Sequence, residues 1–512
     1  MSFNSLEFIL FFSIVFFSYY LIPHRLRWIF LLLSSYIFYM AWKPEYILLI
    51  ILTTLITYFS GEGIKRVQNR KKKKRILIFS VSASLSILFV FKYSNFFIST
   101  INSIFPENHI FTGINIKLIL PVGISFYTFQ ALSYVIDVYR GVYTDDVDLG
   151  HFAVYVSFFP QLVAGPIEKS VNLLPQIYKK IIFNYDRIVS GLRLMLWGFF
   201  KKIVIADNAA EIVNRIYNNV HNYDDGIYFL LATFLFAFQI YCDFSGYSDI
   251  AIGAARTLGI DLMKNFDRPY HAKSISEFWR RWHISLSVWL RDYLFLPVSY
   301  AFLRRFEKLK LRHIKDETLA YIGGIFVTML LGGLWHGASW TFVLWGSVLG
   351  FFMIFSRITR KIRKRIVRKL SLNEVPFLYN SFRIFVTFSL INFSWIFFRA
   401  NSISDAFYII GNIFNGTWGF LGEFFGRLII FSDLKPLEVV IKRIGITPFC
   451  FYSVFIGIGV LFLVQKIQSV QNIGNFLNKS PVWFRWIAYF SLIFLIIYLG
   501  SFKIEQFIYF QF

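Results

Sequence analysis

The stretch YIGGIFVTMLLGGLWHGASWTFVLWGSVLGFFMIF, from Tyr321 to Phe355, decides the fold because its apolar residues run far longer than a soluble core helix requires. About 18 to 20 consecutive apolar residues are enough to span a bilayer. His336 stands in the middle of the stretch, within the segment LLGGLWHGASW. Ionisable groups at membrane depth are costly and usually functional. His336 is therefore the first candidate for chemistry.

The composition extends this pattern to the whole chain. Of the 512 residues, 56% are hydrophobic, 16% are charged and 64 are phenylalanine. Many windows are long and apolar enough to cross a bilayer. We predict an all-α, polytopic integral membrane protein with about eleven transmembrane helices plus re-entrant helices. Residues 6–22 are predicted to be a retained first helix, since no basic residue precedes Arg25 to form a signal-peptide n-region.

The net charge of +24 is concentrated in two basic stretches, KRVQNRKKKKR (Lys65–Arg75) and RITRKIRKRIVRK (Arg357–Lys369). Beside membrane spans, such stretches are far more often topology signals and contacts for anionic lipid than nucleic-acid sites. Both are assigned to cytoplasmic loops, which places the N- and C-termini outside. The spans predicted on this basis are 6–22, 28–42, 46–60, 76–92, 118–138, 382–398, 449–465 and 484–500.

The middle of the chain, from about residue 151 to 337, does not fit simple spans. Its apolar stretches are interrupted by PQLVAGP, FSGYSD, WRRWH and LLGGLWHG. Irregular backbone at membrane depth is tolerated only where protein or a water-filled cavity covers it. The interruptions predict a central buried site. Residues 399–448 are expected at the outer surface, and Cys242 and Cys450 are expected to be buried thiols, with no disulfide framework or metal site.

A second Trp-His pair, Trp282–His283, lies in FWRRWHISLSVWLRDYLFLP. Two such pairs suggest a single site. The alternative for His336 is a buried ring hydrogen-bonded to a carbonyl, whereas small neighbours such as Gly337 would leave room for a substrate. The alternative for His283 is a snorkelling cluster near an interface, because two arginines precede it.

Two further segments carry polar or aromatic candidates. Asp243, Ser245 and Asp249 stand in QIYCDFSGYSDIAIGAARTLGI; an aspartate there can orient a histidine, pair with Arg256 or make structural hydrogen bonds. Ser245 as a nucleophile is disfavoured, because FSGYS lacks the G-x-S-x-G frame. The final residues, FIYFQF (507–512), hold four aromatic rings, which on physical grounds favours an aromatic belt for the last helix.

Five motifs together resemble the membrane-bound O-acyltransferase (MBOAT) family, in its bacterial alginate O-acetyltransferase AlgI-like branch. They are PVGISFYTFQALSYVIDVYRG (121–141), FFPQLVAGPIEK (158–169), FSGYSD, NFDRPYHAKSISEFWRRWHISLSVWLRDYLFLP (265–297) and LGGLWHGASW. The resemblance covers about residues 118–400 within one membrane-embedded domain, 1–512. It implies helices around a central funnel, with His336 as the catalytic residue and His283 as the second functional one.

The resemblance also implies a cytoplasmic acyl donor, expected to be acetyl-CoA, with no tightly bound cofactor. The final acceptor is expected to be an extracytoplasmic polysaccharide, such as alginate, another exopolysaccharide or a cell-wall glycan, reached through a periplasmic partner of the SGNH class. Related D-alanyl transferases use a partner peptide with an acyl-accepting tyrosine. The C-terminal tail looks like that motif fused to the enzyme, which makes Tyr509 the expected first acceptor in a bacterial inner-membrane protein.

The hypothesis that follows makes His336 the general base, with His283 orienting the acceptor or stabilising developing charge. The cations predicted to hold the donor's phosphates are Arg280, Arg281, Arg291 and Lys273, for which topology and lipid contacts are an equal alternative. Two other functions stay open: a D-alanyl or other acyl transferase acting on a cell-envelope polymer, and a transporter or flippase whose His and Asp residues relay protons. The fused tail argues against the former, and missing inverted repeats argue mildly against the latter.

Overall fold

A computed structural model describes residues 1–105, 118–163, 165–309, 316–429, 435–471, 473–503 and 507–508. Its regular structure is helical, which confirms the all-α prediction. The α-helices in chain order are α1 Leu6–Leu21, α2 His24–Met40, α3 Ile47–Arg66, α4 Arg70–Lys92, α5 Ser94–Ile104, α6 Ile124–Arg140, α7 Leu149–Ser157, α8 Phe159–Leu162, α9 Ser170–Tyr178, α10 Tyr185–Phe199, α11 Asp207–Tyr217, α12 Gly226–Thr257, α13 Ile275–Trp279, α14 Ile284–Leu290, α15 Leu296–Leu309, α16 Asp316–His336, α17 Trp340–Ile358, α18 Arg360–Lys369, α19 Pro376–Arg399, α20 Ile403–Asn412, α21 Thr417–Ile429, α22 Lys435–Ile444, α23 Pro448–Val470, α24 Ile473–Lys479 and α25 Val482–Leu499.

The described residues also form 3₁₀ turns and π-helical segments. The 3₁₀ turns are Pro44–Tyr46, Val220–Asn222, Pro269–His271 and Leu372–Glu374, and the π-helical segments are Phe200–Ala206 and Arg291–Phe295. Eight helical segments within the described ranges are long and apolar enough to cross a membrane: Pro44–Arg66, Arg70–Lys92, Gly226–Thr257, Asp316–His336, Trp340–Ile358, Pro376–Arg399, Pro448–Val470 and Val482–Leu499. The chain is thus a multi-pass membrane protein, and the count of eleven spans stays a prediction.

The chain divides into two compact units. Unit 1 comprises Met1–Met195, Ser248–Asn265 and Ile284–Leu294. In this unit α3 packs against α4 and α6, and α7 packs against α2 and α9. A polar cluster ties its segments together, since the Lys169 ammonium lies 2.6 Å from Asp292 and the Tyr293 hydroxyl donates to Asp137 at 2.8 Å.

Unit 2 comprises Leu196–Tyr247, Phe266–His283 and Phe295–Phe512. In this unit α16 packs against α15 and α17, α17 packs against α19, and α11 packs against α23. Its interior is dominated by large aromatic side chains, including the fully buried Trp282, Trp345 and Trp395. Both predicted histidines belong to this unit.

Two local predictions were wrong. FSGYSD does not interrupt the backbone, because it lies inside the 32-residue helix α12; its small polar side chains are compatible with a helix wherever they are buried and bonded. The two basic stretches are not loops, since most of Arg357–Lys369 forms α18 and all of Lys65–Arg75 except residues 67–69 belongs to α3 and α4. The Arg357–Lys369 segment lacks glycine and proline, and lysine and arginine are good helix formers.

Two of the remaining interruptions, WRRWH and LLGGLWHG, coincide with breaks between helices, whereas PQLVAGP (160–166) begins inside α8 and includes a residue outside the described ones. Helix α16 ends at His336 and α17 begins at Trp340, while WRRWH (279–283) begins at the last residue of the short helix α13 and continues as a turn. The described parts of residues 399–448 include the short helices α20, α21 and α22, and the expected position of this segment at the outer surface stays a prediction. The predicted thiols Cys242 and Cys450 are both buried.

Candidate active site

The α16–α17 hairpin places His336. The side chain of Ser339 accepts the backbone N–H of Thr341 at 3.3 Å, which caps α17 and restarts the helix just after the histidine. Above the turn, Gly333 and Gly346 face each other so closely that a Cβ on Gly346 would stand 2.2 Å from the Met329 carbonyl oxygen. The two glycines therefore serve close helix packing, which fixes the position of the last turn of α16.

Aromatic rings surround His336. Its side chain is buried, and its ring centroid lies 4.9 Å from Trp345 and 5.6 Å from Phe398, both edge-on. The space expected for a substrate beside Gly337 is filled on one side, because a Cβ there would stand 2.1 Å from the Phe342 ring. Rigid rings of this kind exclude water and hold the imidazole in one orientation.

His283 lies in the turn between α13 and α14 and is fully buried. Its φ angle is 41°, in the left-handed region that non-glycine residues rarely adopt. Strain of this kind costs about 1–3 kcal/mol and concentrates at functional sites. The ring lies 4.6 Å from the Phe244 ring, edge-on. His283 is outside the eight candidate spans, and burial lowers its pKa to about 3, so its imidazole is neutral at physiological pH.

One indole joins the two predicted histidines. The Trp335 ring centroid lies 4.9 Å from His336 and 5.9 Å from His283. The structure therefore brings together two residues that the sequence separates by an entire helical hairpin. We call the group formed by His283, His336, Trp335, Trp345 and Phe244 the histidine centre.

Asp243, the residue before Phe244, belongs to a buried ionic cluster with Lys202 and Asp207. The Lys202 ammonium is 2.8 Å from Asp243 Oδ1 and 2.7 Å from Asp207 Oδ1, and all three side chains are buried. Lys202 lies outside the eight candidate spans. Burial alone would lower its pKa, but the Asp243 and Asp207 carboxylates outweigh burial and raise the pKa above its ordinary value. The neighbouring Lys201 donates to the Ser245 hydroxyl at 2.8 Å.

The chain's C-terminal end enters this cluster. The backbone N–H of Ile508 donates to the other oxygen of Asp243, Oδ2, at 2.8 Å. The Phe507 ring packs 4.4 Å from Tyr247 and 5.7 Å from Phe244. Both tail residues are almost completely buried. Phe244 belongs to the histidine centre and contacts the His283 ring as well, so a single phenyl group separates the tail from His283.

Tyr509, the predicted acceptor, lies outside the described residues. Its two predecessors are the docked residues Phe507 and Ile508. For these two the burial is deeper than the partial exposure that an interfacial aromatic belt would have.

The site predictions omitted Lys202 and Asp207. The available signal was the segment FFKKIVIADN (199–208), which sets two lysines and an aspartate in an apolar run. Ionisable groups in such surroundings usually pair with one another. The lysines also occupy the π-helical segment Phe200–Ala206, and π-helical turns are frequent at functional sites. Asp243 pairs with this lysine and not with Arg256, whose guanidinium lies 3.2 Å from Asp261 in unit 1.

The four cations predicted for donor binding lie in different surroundings. Glu277 accepts from the backbone N–H of Lys273 at 3.0 Å and from Arg281 Nη2 at 2.8 Å. Burial would raise the pKa of Glu277, but these two partners outweigh it and lower the pKa. Arg280 lines a separate basic pocket.

The remaining two predicted polar residues belong to unit 1. Arg291 forms an ion pair with Asp292 at 2.7 Å, and Asp249 is half-buried on α12. Of the predicted supporting residues, the structure therefore groups Asp243 and Ser245 with the tail and the ionic cluster.

Comparison with known proteins decides the family. A family model described as MBOAT, membrane-bound O-acyltransferase family, matches residues 143–399, which include both histidines. The chain belongs to the membrane-bound O-acyltransferase family. The expected resemblance is confirmed, and this MBOAT protein is an O-acyltransferase. The transporter alternative is thereby set aside.

Curated relatives refine the placement of this MBOAT protein. The probable alginate O-acetylase AlgI of Pseudomonas aeruginosa is 37% identical over 421 residues, covering 82% of this chain and 76% of the relative. The peptidoglycan O-acetyltransferase of Helicobacter pylori is 33% identical over 410 residues, covering 74% and 72%. The teichoic acid D-alanyltransferase of Streptococcus thermophilus is 28% identical over 289 residues, covering 54% and 68%. All three names describe acyl transfer to cell-envelope polymers.

Proposed function

We propose that this MBOAT protein moves an acetyl group from cytoplasmic acetyl-CoA across the bacterial inner membrane for O-acetylation of an extracytoplasmic polysaccharide. The observation that carries the proposal is the juxtaposition of two buried histidines with a docked C-terminal tail. The names of the O-acetylating relatives favour acetyl over D-alanyl as the group transferred. Alginate, another exopolysaccharide or a cell-wall glycan is the final acceptor.

In the proposed first step, His336 removes the proton from the Tyr509 hydroxyl as its oxygen attacks the thioester carbonyl. The C–S bond then breaks, an ester bond forms on the tyrosine, and the imidazolium returns the proton to the departing thiolate. His283 orients the acceptor or stabilises the developing charge. Its neutral ring, positioned by Phe244 and Trp335, is suited to donating a hydrogen bond.

The second step uses the leaving-group quality of the phenol. Tyrosine has a pKa near 10, lower than that of an alcohol, so an acyl-tyrosine can pass its group to a serine or sugar hydroxyl without further energy input. The proposed recipient is a periplasmic partner of the SGNH class. The nucleotide stays in the cytoplasm, and only the acyl group crosses.

The tail is proposed to be held by Asp243. This aspartate binds the Ile508 backbone with one oxygen and the Lys202 ammonium with the other. A carboxylate fixed in this way positions the residue that follows Ile508, which is Tyr509. Asp243 is therefore a positioning residue for the acceptor.

Cells that carry His336→Ala, Tyr509→Phe or the control Tyr498→Phe test the proposal. Tyr498 is a tyrosine on α25 whose side chain is 61% exposed. Ester-linked acetate released from the envelope polymer should fall to background with the first two substitutions and stay at the wild-type level in the control. Full acetylation with Tyr509→Phe would rule out the fused acceptor, and full acetylation with His336→Ala would rule out the catalytic assignment.

A further inference from the structure

A basic pocket of about 1040 Å³ lies in unit 2, away from the histidine centre along the same helices. Seven cationic side chains line it, and among the described residues of its lining there is no carboxylate. Five of the seven come from the end of α17 and from α18: Arg357, Arg360, Arg363, Lys364 and Arg368. The other two, Arg280 and Arg383, come from the segment before His283 and from α19. Such a concentration of like charge is unfavourable without an anionic partner.

The sequence of α18 explains how the pocket acquires its cations. The lining residues of RKIRKRIVRK stand at positions 360, 363, 364, 367 and 368, which is one face of an α-helix. Ile362 and Ile366 lie on another face and are 59% and 48% exposed. Lys361 and Arg365 are equally basic but do not line the pocket. A helix with an exposed apolar stripe and a cationic face is typical of a membrane interface.

Two helices and one turn run from this pocket to the histidine centre. Tyr321 lines the pocket and His336 ends the same helix, α16, fifteen residues later, which corresponds to about 22 Å at the α-helical rise. Arg357 lies about 18 Å along α17 from Trp345 by the same measure. Arg280 is in the turn that ends at His283.

The separation matches the shape of a nucleotide thioester. A pantetheine arm is about as long as four residues of extended chain, or roughly 14 Å, and a pyrophosphate lengthens it further. The nucleotide end of coenzyme A carries a pyrophosphate and a third phosphate, and arginine forks bind phosphate oxygens in pairs. A thioester at the histidines would thus leave its phosphates near the pocket.

We propose that the basic pocket binds the clustered phosphates of the donor nucleotide, an inference that rests on the proposed use of acetyl-CoA. Anionic lipid headgroups share the phosphate chemistry and are the competing source of ligand. Arg280 is the one residue common to the pocket and to the sequence-based donor predictions. Arg360 and Arg368 are exposed, so substituting them should change stability little.

The test uses the full chain in nanodiscs of zwitterionic lipid, titrated with coenzyme A. The pocket variant is Arg360→Gln with Arg368→Gln, and the control on the same helix is Lys361→Gln with Arg365→Gln, which removes the same charge. Loss of two charge-assisted contacts should raise the Kd for coenzyme A at least about tenfold in the pocket variant. The control should stay within about twofold, and the KM for acetyl-CoA should follow the same pattern with kcat unchanged.

Three results would overturn the inference. Equal weakening in both double variants would mean that net charge, not the pocket, attracts the nucleotide. Binding of phosphatidylglycerol or cardiolipin that depends on the pocket residues, with an unchanged KM for acetyl-CoA, would assign the pocket to lipid. In both cases wild-type acetyl transfer would persist and the proposed function would survive. A wild-type protein that does not accept acetyl from acetyl-CoA would instead defeat the donor proposal, and the pocket inference with it.

Discussion

The histidine centre and the basic pocket are built on the same helices of unit 2 and have opposite chemistry. Around His336 and His283 the contacts are aromatic and water-excluding. Around the pocket they are seven guanidinium and ammonium groups. One region suits a proton transfer between neutral groups, and the other suits the binding of a polyanion. The difference implies that substitutions can change the rate of acyl transfer and the affinity for the donor separately.

The largest expected effect is that of His336→Asn, which keeps a polar side chain but removes the base. General-base catalysis contributes about 10²–10⁴-fold, so kcat should fall by at least about 100-fold. The KM for acetyl-CoA should stay within about twofold, because the pocket is intact. Steady-state kinetics on purified protein measure both constants. A large change in KM with kcat preserved would erase the distinction between the two regions.

The ionic cluster that holds the tail gives the next effect. Asp243→Ala removes the Ile508 anchor and one of the two carboxylates that lie within 3 Å of the Lys202 ammonium, while the Asp207 carboxylate stays. Breaking one partner from a buried ion pair costs about 3–5 kcal/mol, so unfolding should occur at a clearly lower denaturant concentration. Lys361→Ala, at an exposed site, should change the free energy of unfolding by no more than about 0.5 kcal/mol. An equally small change in the free energy of unfolding for both variants would show that the ionic cluster does not stabilise the fold.

Trp335 tests whether the histidines act together. Trp335→Phe keeps an aromatic ring, but the smaller side chain weakens the contact that Trp335 makes with both His283 and His336. Small misplacements of reacting groups can cost up to 10²-fold, and we expect kcat to fall about tenfold with little change in KM. Trp418→Phe is the control, because that indole is 72% exposed on α21. An unchanged kcat for Trp335→Phe would mean that the histidines are positioned independently.

The smallest expected effect is that of salt. Raising ionic strength screens the exposed cations of the pocket, whereas the buried histidine centre is screened far less. The KM for acetyl-CoA should therefore rise several-fold between low and high salt while kcat stays constant. The matched measurement on the Arg360→Gln, Arg368→Gln variant should show a weaker salt dependence. A salt effect confined to kcat would contradict this assignment of roles.

Much of the framework could be predicted from the sequence, because apolar length and Lys/Arg position are local signals. The helices at both ends lie close to the predicted spans, for example α4 over the predicted 76–92 and α25 over 484–500. The helical state of Arg357–Lys369 was missed, because a run of like charges resembles a solvated loop. Its isoleucines at positions 362 and 366 are spaced one helical turn apart, and that periodicity was the missed signal.

The site could be predicted only at residues whose chemistry differs from that of their sequence neighbours. His336 and His283 stand out as ionisable groups among apolar neighbours, but their shared contact with Trp335 depends on how the end of α16 packs against the turn that follows α13. Lys202 differs, because its partner Asp207 lies only 5 residues further along the chain, within the apolar run that held the unused signal. Its other partner, Asp243, lies 41 residues further along, and a pairing over that separation depends on tertiary structure, which a local pattern does not contain.

The most direct test of the central claim is the intact mass of the C-terminal peptide after purified protein is incubated with acetyl-CoA. We predict that the peptide ending at Phe512 gains the mass of one acetyl group, located on Tyr509, and that His336→Asn abolishes the gain. A peptide that stays unmodified while the protein still transfers acetyl to its acceptor would contradict the acyl-tyrosine mechanism.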